Sequence, residues 1–218
     1  MSNNTEVKEF TCTGCGVLNC YRRGSTFPRS CLTTEFAAAG EKAVALYQGE
    51  GETAKIARAA AEIEGLYYGK LTRVEEIIAF AKRLGARKIG IATCIGLIEE
   101  ARIFARILEA KNLASYSVIC KVGSVDKTAI GIPEELKVQK GCYEAICNPV
   151  LQAEILNEQK TDLNVIVGLC VGHDSLFIKY SAAPVTTLIT KDRVLGHNPA
   201  AALYTSGFYY KRLMEKEE

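Results

Sequence analysis

The chain has 218 residues, 48% hydrophobic and 24% charged, with 27 basic and 25 acidic side chains giving a formal net charge of +2. A chain of this length buries roughly 70% of its unfolded surface, enough for one main domain with a small appendage. The near balance of charge, with no long basic run, argues against nucleic acid as a main partner, and no stretch approaches the ~20 apolar residues that span a bilayer.

The opening segment, MSNNTEVKEF, is polar and lacks the charged and apolar regions of a secretory leader. The cytoplasm is therefore the expected location. Thiols stay reduced there, so nine cysteines point to metal ligation or thiol chemistry rather than to a disulfide framework. They fall into two groups. Cys12, Cys15, Cys20 and Cys31 lie close together, then 62 residues pass before Cys94, Cys120, Cys142, Cys147 and Cys170.

In the first group, CTGCGVLNC is followed by YRRGSTFPRSC. Two cysteines separated by two residues, with Gly14 and Gly16 in the turn, allow backbone amides to point at the sulfurs while both thiolates reach one metal. Gly24 and Pro28 let the loop return Cys31 to the same centre. Residues 1–33 are thus expected to form a small four-cysteine metal module, holding either zinc or a [4Fe-4S] cluster, because closed four-thiolate sites suit both. So short a segment has no core of its own and is expected to need its metal to fold.

Residues 34–86 are expected to form helices packed on the main domain. Phe36, Gly40, Ala43, Val44 and Tyr47 recur at helical spacing, and Ile56, Ala59, Ala60, Ile63 and Tyr67 repeat the pattern after the break at Gly49 to Gly51. A further helix starts with the capping box of Thr72 and Glu75, carries Val74, Ile77, Ile78, Ala81 and Leu84 on one face, and stops at Gly85. These stripes are read as core.

From residue 87 to 218 short apolar runs alternate with helices. KIGIAT, SYSVIC, LNVIVGL and PVTTLIT read as buried strands, and CYEAIC as a further short one. The fold class expected is α/β, with a mostly parallel, Rossmann-like sheet flanked by helices. Cys94, Cys120, Cys147 and Cys170 each sit at the carboxyl end of a candidate strand, where open α/β sheets place their ligand crevice. Each taken singly reads as a buried small hydrophobe; together at one edge they read as a shared site for a metal or cluster. Cys142 precedes its run and is a bystander. If only three converge, Cys120 is the expected outlier, because no helix start follows it.

Asn148-Pro149 and Asn198-Pro199 read as helix N-caps with proline at the first helical position, where free amides favour thiolates or a bound anion. VGHDS and KDRVLGHN bring His173, Asp174, Lys191, Arg193 and His197 into loops at the same edge, as candidates for acid/base or substrate-binding roles. Asp174 and Asp192 also read as plain loop caps. Lys191, Arg193, His197 and Asn198 together are expected to bind a small anion.

The segments RVEEIIAFAKRLG, KIGIATCIGLIEEA, VICKVG, ICNPVLQAEILN and TDLNVIVGLCVGHDSLFIKYSAAPVTTLITKDRVLGHNPAAALYT resemble an uncharacterised prokaryotic family of cysteine-rich metal-binding proteins. The resemblance runs from Cys12 to Tyr204 and is most specific at GLCVGHDSLF and KDRVLGHNP. It implies that Cys12, Cys15, Cys20 and Cys31 bind zinc or another metal, and it supplies no reaction. Leu32 stands where that family often has proline. Two functions are consistent with these residues. One is an enzyme whose edge cysteines hold a cluster for redox or sulfur-transfer chemistry on a small anionic substrate or with a redox partner. The other is a noncatalytic zinc or small-ligand binder, a sensor or carrier.

Overall fold

The structure is a computed structural model and describes residues 11–216 except 23 and 25; the polar opening segment read above lies outside the described residues. The chain divides after Glu62 into two compact units. In the first, a 3-10 turn at Cys12–Gly14 precedes short helices α1 (Asn19–Arg22) and α2 (Leu32–Glu35), then α3 (Ala37–Gln48) and the start of α4 (Glu52–Tyr67). The apolar stripe expected to be core on α3 is not buried: Phe36, Val44 and Tyr47 are exposed, and α3 has no buried residue. Among the described residues of this unit only Ala54 and Ala59 are buried, so it lacks the opposing apolar layer that such a stripe needs.

The second unit holds the sheet. Helix α5 (Arg73–Leu84) begins with the expected capping box, in which Thr72 and Glu75 satisfy each other's free amides, and ends at Gly85 in the left-handed conformation. Strand β1 (Lys88–Thr93) leads through a 3-10 turn into α6 (Ile98–Ala110) and then β2 (Ala114–Ile119). A long loop returns to α7 (Pro149–Glu158), β3 (Leu163–Val167), α8 (His173–Tyr180), β4 (Val185–Ile189) and α9 (Ala200–Tyr204). The four strands are all parallel, in the order β2-β1-β3-β4.

Period-two alternation sorts the strand residues onto two faces. Ile89, Ile91, Leu163, Val165 and Val167 pack with Ile77, Ala81, Phe104 and Leu108 of α5 and α6. Ala92, Val118 and Ile166 pack with Ala153, Leu156 and Phe177 of α7 and α8, and this second cluster runs on into Cys94, Cys120 and Cys147. Both faces of the central strands β1 and β3 are covered, which is why they are near-continuous apolar runs; the edge strand β2, expected to be buried, is largely exposed, and β4 is half-buried.

The chain leaves β1 toward β2 but leaves β3 toward β4, so the strand order switches between β1 and β3. Ligands of open α/β sheets bind outside the carboxyl ends at such a point. Backbone bonds close the strand ends there: Cys94 N–H donates to the Val167 carbonyl at 3.3 Å, and Gly168 N–H to that of Ile189 at 2.9 Å.

The CYEAIC run is not a strand. Its pairing is a single antiparallel bridge between Asp126 and Ala145 within the loop that joins β2 to α7. That loop is organised by ions: the buried Lys137 ammonium lies 2.9 Å from Asp126 and 2.7 Å from Glu134, and donates to the Cys142 carbonyl at 3.1 Å. No helix among the described residues is long and apolar enough to cross a membrane.

Candidate functional site at the sheet edge

Cys94 follows β1, Cys120 follows β2, Cys170 follows β3, and Cys147 ends the loop that returns from β2. Local bonding explains their convergence. Cys120 N–H donates to the Thr93 carbonyl at 2.8 Å, which sets the end of β2 beside that of β1. Asn148 N–H donates to the Cys120 carbonyl at 2.7 Å, which sets Cys147 beside Cys120. Lys121 pins the same turn by donating to the Ala145 carbonyl at 2.6 Å. Asn148 then caps α7, its side chain accepting the Leu151 amide at 3.1 Å, as expected.

The sulfurs form a row with Cys120 in the middle. The Cys120 thiol has the sulfurs of Cys94 and Cys147 as its hydrogen-bond partners, and it accepts the Ile95 amide at 3.3 Å. Cys120 is therefore the hub, the reverse of the outlier expected from sequence. The missing helix start proved irrelevant, because the Asn148 amide supplies the link.

Hydrogen bonding and burial divide the protons unequally along this row. The bond from Cys120 is the largest influence holding Cys94 down to about 4, with the Gly96 amide and the Lys191 cation acting in the same direction against burial. Cys147 is held down to about 5, first by Cys120 and then by Lys121 and His173, again against burial. Cys120 is pushed up, because its proton serves both neighbours and the site is buried. The row thus favours the charged forms of Cys94 and Cys147 and the protonated form of Cys120.

The fourth cysteine joins through the loop after β4. Arg193 donates to the Cys170 sulfur at 3.0 Å, which holds the guanidinium cationic, and the charges on Cys94 and Cys147 add to that effect. Lys191 Nζ lies 3.6 Å from the Cys94 sulfur. The basic loop expected to grip a free anion is therefore turned onto the sulfurs. His173 and Asp174 are the first residues of α8 rather than loop residues. His173 Nδ1 is buried and has no hydrogen-bond partner, whereas Asp174 bonds the adjacent Ser175 amide at 2.8 Å.

Two expected site residues are occupied elsewhere. His197, at φ 67°, accepts the Asp192 amide on Nδ1 at 3.2 Å, while the Asp192 carboxylate takes the amides of Val194 and Leu195, so both stabilise their own loop. Asn198 is not a side-chain cap: Pro199 stands at the N-cap position of the short α9.

In the amino-terminal unit the amides of Leu18 and Val17 donate to the Cys15 sulfur and lower its pKa. Leu18 has φ 53°. Among the described residues, no three His, Cys, Asp or Glu side chains are gathered as a ready metal-ion site, either here or at the sheet edge.

Residues 31–188 match the family described as "Protein of unknown function (DUF1847)". The chain belongs to that family. The DUF1847 match contains all four sheet-edge cysteines but begins at Cys31, leaving Cys12, Cys15 and Cys20 outside it. The chain is also 55% identical over 175 residues to the uncharacterized protein MJ0455 of Methanocaldococcus jannaschii, covering 80% of this chain and 88% of that one. No solved structure matches.

Two side chains of this DUF1847 site escape a reading of sequence. Gln152 is wholly buried on α7; its amide donates to the carbonyls of Thr93 at 3.2 Å and Val118 at 2.7 Å, tying together the strand ends that carry Cys94 and Cys120. Its Oε1 has no partner. Lys121, next to Cys120 in sequence, serves Cys147 instead. A polar residue within an otherwise apolar helix face was the signal for the first, and nothing local marked the second.

Proposed function

We propose that this protein is a thiolate-ligated metal protein in which Cys94, Cys120, Cys147 and Cys170 hold an iron–sulfur centre for redox or sulfur-transfer chemistry on a small anionic substrate. The observation that carries the reading is the row of sulfurs at the switch point of the sheet, with Lys121, Lys191 and Arg193 around them. An all-sulfur donor set suits soft metals, iron in iron–sulfur clusters among them. Such a centre supplies one-electron transfer or an open iron position. The surrounding cations offset thiolate charge, the Ile95 amide orients the Cys120 sulfur, and Leu169, buried in the same cluster as Cys94 and Cys120, keeps water from that side.

Iron, acid-labile sulfide and visible absorbance of anaerobically purified protein test the reading. Brown protein with iron and sulfide in similar amounts is expected; colourless protein free of both would contradict it. A second reading is favoured by the amides on the Cys15 sulfur: a structural zinc held by Cys12, Cys15, Cys20 and Cys31, in a noncatalytic binder. Stoichiometric zinc without iron would select it.

A further inference from the structure

The same sulfurs support a metal-independent activity. We propose that Cys147 and Cys120 form a dithiol pair that reduces small anionic disulfides, with Cys147 as attacking sulfur and Cys120 as resolving sulfur. This uses the site of the proposed metal centre but does not require the metal. Cys147 is half-buried, whereas Cys94 and Cys120 are 5% and 1% exposed, so a reagent meets the row at Cys147.

The pair is close enough to bridge. The bond from Asn148 N–H to the Cys120 carbonyl holds the two backbones side by side, near the ~4.8 Å spacing of neighbouring strands. Disulfides span Cα separations of roughly 4.4–6.8 Å. Both side chains also lie in one packed cluster, so they lean to the same face.

Access and charge are supplied by the loop. A surface cleft of about 360 Å³ is lined by Lys121, Gln139, Tyr143, Glu144 and Ala145. Lys121 lines this cleft and is also the cation beside Cys147. Glu144 is bound by Lys127 and by the Gln139 amide, which leaves Lys121 to meet a carboxylate on the substrate.

The chemistry balances in two exchanges. The Cys147 thiolate attacks one sulfur of RS–SR, breaking that bond to give a Cys147–SR mixed disulfide and RS⁻. Cys120 then attacks the Cys147 sulfur and loses its proton to the second departing RS⁻. The products are a Cys120–Cys147 disulfide, RS⁻ and RSH; the substrate disulfide is reduced and the cysteine pair is oxidised.

The test uses the full chain, purified anaerobically, depleted of metal with a chelator, and treated with glutathione disulfide. Thiol release and peptide mapping after alkylation are the readouts. A linked Cys120–Cys147 peptide is expected, with two glutathiones released for each such bridge formed, C120S stopping at glutathione on Cys147, and C142S forming the bridge as the parent does. Persistent glutathionylation of Cys147 in the parent, or linkage confined to the amino-terminal cysteines, would overturn the proposal without any variant having to fold. Cystamine, a cationic disulfide, should react at least about tenfold more slowly; an equal rate would remove the assignment of an anionic substrate. Because metal is removed beforehand, failure here leaves the metal reading standing, and a chain that never carries iron can still pass.

Discussion

At the scale of single residues, the site depends on where one proton sits. Contact with two neighbouring sulfurs and burial favour the protonated form of Cys120, while Cys120, amides and cations favour the charged forms of those neighbours. For Cys147, half-buried and held down to about 5, well below an ordinary thiol, iodoacetamide alkylation of metal-depleted protein should stay flat above about pH 6 and fall as pH drops through about 5. Lys121→Met should move that midpoint upward, since Lys121 is one of the charges that favours the thiolate. Peptide-resolved mass spectrometry measures it; a midpoint near 9 in the parent would contradict the proposed electrostatics. The strand-end cysteines were legible in sequence because each follows an apolar run. The ranking among them was not, because Cys120 is made central by the Asn148 amide, which arrives after a loop whose path no local pattern encodes.

At the scale of elements, the four strands and the α5 cap were legible, since burial on both faces gives β1 and β3 continuous apolar runs, short apolar stretches remain in the edge strands β2 and β4, and capping boxes have local signatures. CYEAIC misled because its alternation serves a loop held by the Lys137 ion pairs rather than a ladder. Asn198-Pro199 misled because His197 takes a left-handed turn that starts the helix later. The segment between β3 and Cys170 shows how tightly the site is built. Gly168 has φ 71°, and a Cβ there would stand 1.8 Å from Leu97 Cδ1. Leu97 is fully packed under the switch point, so it has little room to withdraw. Gly168→Ala should cost about 3 kcal/mol from the left-handed backbone and the overlap together, lowering Tm by about 6–12 °C. Calorimetry checks this; an unchanged Tm would mean that the close approach of Leu97 to Gly168 does not hold.

At the scale of the whole molecule, the two units divide the nine cysteines between two problems. The sheet unit has a double-sided core and orders its sulfurs by backbone bonding, whereas the amino-terminal unit presents one amide-bonded sulfur at Cys15 and, among its described residues, little buried apolar surface. Structural metal sites couple binding to folding, and a site on a preformed edge needs no such coupling. Metal content of two multiple variants, purified anaerobically and compared with the parent, separates the units. In one, Cys12, Cys15, Cys20 and Cys31 become Ser; in the other, Cys94, Cys120, Cys147 and Cys170 do, with circular dichroism confirming the sheet in both. Iron and sulfide should persist in the first variant and vanish from the second. Iron lost from the first and retained in the second would contradict the assignment of the centre to the sheet edge.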